Sequence, residues 1–78
     1  MKVIGWRRID IENKESSIHG IKYFCTEQGD DHCVGDTCDS FFASDRVLNS
    51  VGKDIDLGDD VIPVYKINSK VLRTIVIL

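Results

Sequence analysis

Two apolar runs close the chain, Val61–Ile67 and Lys70–Leu78, with only Asn68-Ser69 between them. Val, Ile and Tyr favour a pleated surface, and a short polar break between such runs signals a hairpin. Asn tolerates the positive φ of a tight turn, so a two-residue connection at Asn68-Ser69 is expected. Upstream, Ile9 and Ile11 alternate with Arg8 and Asp10, the period of a half-buried strand over Lys2–Ile11. Ile4 and Trp6 fall on the opposite parity, so a bulge or bend is expected beside Gly5. Glu12–Gly20 reads as a polar loop. A second strand follows over Ile21–Glu27, with Ile21, Tyr23 and Cys25 on one face and Lys22, Phe24 and Thr26 on the other.

Gln28–Asp36, rich in Gly and Asp, is the least structured segment, and a third strand, Thr37–Ala43, centres on Phe41-Phe42. Ser44 and Asp45 supply a helix N-cap for a turn or two over Arg46–Val51, which Gly52 can stop. Lys53–Asp60 is acidic and turns at Gly58. The order is three strands, a short helix and two strands. It predicts an all-β fold, a small five-stranded OB-like barrel with one short helix between strands three and four. An SH3-like barrel is the alternative. At 78 residues the chain is one domain, 1–78, with a small core.

Composition is that of a soluble globular protein, 42% hydrophobic and 29% charged. No apolar run reaches the roughly 18 residues of a membrane span. Arg7 and Arg8 stand where a signal peptide needs its apolar core. Three cysteines do not make an even disulfide framework. A cytoplasmic chain with reduced thiols is therefore expected. Net charge is −3 and unevenly spread: +2 over residues 1–26, −8 over 27–60, +3 over 61–78. If the two ends share a sheet, that sheet is locally positive.

Cys25, His32, Cys33 and Cys38 lie close in sequence but lack the paired short spacings of a zinc site, and Cys25 and Cys38 read as small core residues. Asp54-x-Asp56 begins a calcium-loop pattern that Gly58-Asp59 does not complete, and no Glu follows. No metal or other cofactor is expected. Nothing in the sequence places His19 and Cys33 together or supplies them with an orienting acid, and there is no phosphate-binding glycine loop, so the chain reads as non-catalytic.

Rings and cations interleave on the proposed strands. Single-strand binders stack bases on aromatic faces and draw phosphates to flanking cations. The candidate nucleic-acid-binding residues are Trp6, Arg7, Arg8, Lys22, Tyr23, Tyr65 and Arg73, with Trp6 and Tyr65 the rings expected at the surface. A small core also needs large side chains, so Phe41 or Phe42, together with Tyr23, is expected inside. The alternative is a protein-interaction or dimerisation module, pairing through an edge strand or the tail Ile75–Leu78.

Gly20-Ile21-Lys22-Tyr23, Phe41-Phe42-Ala43-Ser44, Val51-Gly52 and the closing Val64-Tyr65-Lys66-Ile67-Asn68-Ser69-Lys70-Val71 together resemble small OB-type proteins of phages and bacterial mobile elements, including single-stranded-DNA-binding proteins of filamentous phages. The resemblance covers Gly20–Leu78 and implies cooperative, sequence-tolerant binding of single-stranded DNA, often by a homodimer. The acidic middle segment departs from it.

Overall fold

The computed structural model describes residues 1–78 as two antiparallel sheets and one short helix. Strands β1 (Lys2–Glu12), β2 (Ser17–Gln28) and β3 (Asp36–Ser44) form one sheet in that order. Helix α1 (Asp45–Val51) leads to β4 (Val61–Tyr65) and β5 (Leu72–Ile77), the second sheet. The register of β1 against β2 slips between Val3 and Gly5, the bulge expected from the change of phase. Ser44 caps α1 by accepting from the Val47 amide at 3.4 Å, and Gly52 ends it at φ 72°, a left-handed conformation that glycine adopts without steric cost.

Two expected connections differ. The Glu12–Gly20 loop shrinks to Asn13–Ser16, because Ile18 pairs with Ile11 and His19 with Asp10, extending the hairpin. Asn13 holds that turn, its Oδ1 accepting from the Glu15 and Ser16 amides. The β4–β5 connection widens to Lys66–Val71. Asn68 takes positive φ, 55°, but Ser69 does not, so the two-residue mirror-image turn is not made. The Ser69 amide instead donates to the Lys66 carbonyl, and Lys66 to Val71.

The sheets join along one side only. Lys2 bridges Asp60, Val3 donates to Asp59, Gly58 to Val3, and Val61 to Met1. On the other side β3 and β5 make no ladder, so the five strands do not close into a barrel. The core lies between the sheets: Val3, Tyr23, Cys25, Phe41, Ala43, Ile55, Val61, Leu72 and Ile75. Apolar faces of α1, through Val47, Leu48 and Val51, pack on it. Each large buried side chain contributes about 1.5–3 kcal/mol.

Candidate nucleic-acid interface

Side chains alternate across a strand, and directly paired residues share a face. The three-stranded sheet therefore has two unlike faces. Its inner face carries Trp6, Tyr23 and Phe41, opposite one another on the three strands, with ring centroids 6.4 and 5.4 Å apart. Its outer face carries the row Arg7, Lys22, Phe42 and the next row Gly5, Phe24, Ser40. Phe24 and Phe42 are exposed, and the Lys22 ammonium lies 5.7 Å from the Phe24 ring centroid. The Phe42 ring closes over Gly20: a Cβ there would sit 2.6 Å from Phe42 Cζ. A glycine covered by a neighbouring ring fixes that ring's tilt. Among outer-face positions the one acid is Asp36, at the far end of β3, whereas Asp10, Glu12 and Glu27 are on the inner side and Asp39, at the β3 edge, turns its carboxylate to the Ser40 amide, in a recess shared with Phe24.

The expected site residues divide accordingly. Tyr23 is 3% exposed and forms core, so it is not available as a binding ring, and burial beside Asp54 raises its phenol pKa. Trp6 is exposed at 46% but faces inward, over a recess shared with Leu48, Asp54 and Asp56. Lys53 lines the same recess, so two acids and one cation flank the ring. Arg8 is spent on protein carboxylates: its fork meets Asp45 at 2.6 and 2.7 Å and Asp10 at 3.0 Å. Those hydrogen bonds raise its pKa further and lower those of Asp10 and Asp45. His19 completes the cluster, with Nδ1 2.8 Å from Asp10 and Nε2 3.3 Å from Glu12, and its pKa is raised chiefly by the Asp10 hydrogen bond. Trp6 and Arg7 thus lie on opposite faces, and the single patch expected from the first and last strands is not assembled.

The open side between β3 and the β4–β5 hairpin holds the remaining members. A cleft of about 530 Å³ is walled by Phe42, Tyr65, Lys70, Ser40 and Ser69. Behind it, a second hollow of about 610 Å³ is lined by Arg46, Lys66 and Arg73 with Ser44, Ser50 and Thr74. Neither is lined by an acid. Ser44, Val47, Val71 and Leu72 are walls of both. Phe42 joins the outer face to the cleft.

Arg7 and Lys22 thus share the outer face, and Tyr65 and Arg73 the open side. Phe24, Phe42, Arg46, Lys66 and Lys70 join them, although none was among the candidates. Adjacent Phe41 and Phe42 must point opposite ways on a strand, which was the available signal for one outward ring. Cys38, expected in the core, is exposed, because it pairs with Thr26 on the outer face while Cys25 faces inward. No helix is long and apolar enough to cross a membrane. No family model, curated protein or solved structure matches the chain.

Proposed function

We propose that this chain is an OB-type module, open between β3 and β5, that binds single-stranded nucleic acid without catalysis. The strand runs over the outer face of β1–β3 and into the adjoining cleft. Bases stack on Phe24, Phe42 and Tyr65, and phosphates meet Arg7, Lys22 and Lys70. The observation that carries the reading is the Arg7–Lys22–Phe42 row with Phe24 beside it, a cation-and-ring surface whose one adjacent acid, Asp39 at the β3 edge, accepts the Ser40 amide. Net charge of −3 does not oppose this, because most acids lie on the inner side and in the loops, and the Debye length at physiological salt is only about 8 Å.

The test is anisotropy of labelled oligo-dT at low salt. Binding with a midpoint of tens of micromolar or tighter, on the order of non-specific affinities, is expected, weakening as salt rises. Phe42→Leu and Lys22→Gln should each weaken it. No binding at about 100 µM protein overturns the reading.

A second reading, a homodimer, is favoured by one observation: β3 has an unpaired edge, and Ile4, Ile11 and Ile18 are exposed. An unpaired edge is a template for another strand. Sedimentation separates the two, since a salt-insensitive dimer without affinity for oligo-dT fits only this second reading.

A further inference from the structure

The hollow behind the ring cleft holds more positive charge than one internal phosphate of a strand requires. Arg46 reaches it from α1, Lys66 from the β4–β5 connection and Arg73 from β5. None of the three is in an ion pair, in contrast to Arg8. Three hydroxyls, of Ser44, Ser50 and Thr74, line the same space and add donors. The Ser44 oxygen accepts the Val47 amide as helix cap, which leaves its proton free to donate. An internal phosphodiester carries one negative charge. A phosphomonoester carries about −1.5 to −2 at pH 7 and three strongly accepting oxygens. Three cations lining one hollow without a carboxylate complement the second group better than the first.

We infer that the hollow lined by Arg46, Lys66 and Arg73 is a site for a phosphomonoester, the group presented by a mononucleotide or by the phosphorylated end of a strand. The shared wall of Ser44, Val47, Val71 and Leu72 brings the attached base to the cleft of Phe42 and Tyr65. The inference rests on the strand-binding reading for that base slot, and on the charge of the hollow for the rest.

The experiment compares oligo-dT bearing a 5′-phosphate, a 3′-phosphate or neither, alongside dTMP and thymidine, in equilibrium titrations with the full chain. A terminal phosphate at one end should tighten oligo binding about tenfold, the scale of hydrogen bonds to a charged group. dTMP should bind more tightly than thymidine by a similar factor. Arg73→Gln and Arg46→Gln should erase both differences, while Lys22→Gln lowers the affinity of every oligonucleotide alike. Preference for phosphorylated oligonucleotides over dTMP identifies strand ends as the source, and the reverse identifies free nucleotides. Equal binding with and without the phosphate, both among the oligonucleotides and between dTMP and thymidine, overturns the inference and leaves strand binding intact. So does an Arg73→Gln variant that weakens all oligonucleotides equally. Binding of dTMP without any binding of plain oligo-dT overturns the strand reading and supports the phosphomonoester site.

Discussion

The Phe42 ring rests on the Cα of Gly20, across the β2–β3 pair and on the outer face of the sheet. The position next to the Phe42 ring is therefore closed to any side chain. A Cβ at Gly20 would collide with the Ala43 carbonyl oxygen as well as with the ring, so moving the ring alone does not relieve it. Gly20→Ala should destabilise the fold by roughly 1–3 kcal/mol, the scale of an overpacked site. The stiffer unfolded chain returns only about 0.4–1 kcal/mol, so the net effect is a loss. Chemical denaturation measures it. Phe42→Ala should leave more of the stability and remove about tenfold of oligo-dT affinity, within the range of one stacked base.

Charge on the outer face should appear in the salt dependence. Each phosphate contact adds about 0.7 to the slope of log affinity against log salt for a single strand. Arg7→Gln and Lys22→Gln should each lower that slope by about this amount. Arg8→Gln should leave the slope unchanged, because Arg8 already serves Asp10 and Asp45, and should lower the melting temperature instead.

The Arg8, Asp10, His19 and Asp45 cluster sets a pH window. Asp10 raises the folded pKa of His19 above its ordinary value of 6.5, so His19 contributes stability that is full below pH 6.5 and fades as pH rises through the raised value. Arg8 lowers Asp10 and Asp45 below their ordinary 3.8, so their contribution is full above that pH and is lost as pH falls through the lowered values. Thermal melts between pH 3 and 9 should show both flanks. His19→Gln should flatten the alkaline one and leave the acid one. These groups are exposed, so both effects should shrink in high salt.

Cys25 and Cys38 should react in an order set by the sheet faces. Cys25 is 1% exposed and burial pushes its thiol pKa up, whereas Cys38 lies on the outer face in the row beyond Phe24. A thiol-disulfide reagent should label Cys38 readily and Cys25 only on unfolding. Bound oligo-dT should slow labelling of Cys38.

Much of the architecture was legible in the chain. The parity of Ile21, Tyr23 and Cys25 against Lys22 and Phe24 put the right residues on each side of β2, and Ser44 and Gly52 bounded the helix. Turn widths were less legible, because Ser69's φ and the Ile11–Ile18 pairing depend on contacts that no local pattern encodes. The candidate site was half legible. Alternation alone separates Trp6 from Arg7, but the bulge beside Gly5 obscured which of them faced the core. Of the two acids that neutralise Arg8, Asp10 is its i+2 neighbour on the same strand face, but Asp45 is 37 residues away and meets it only once α1 has packed. Arg46, Lys66 and Arg73 likewise come to line one hollow only after the hairpin folds back beside the helix.

Amide and indole chemical-shift mapping of the labelled protein with oligo-dT at low salt tests the central claim most directly. Shifts concentrated at Arg7, Lys22, Phe24, Phe42 and Tyr65, with the Trp6 indole and the Asp10–His19 region unmoved, are the result expected of strand binding on the outer face. Shifts centred on Trp6 and the inner face, or none at saturating oligonucleotide, would contradict it.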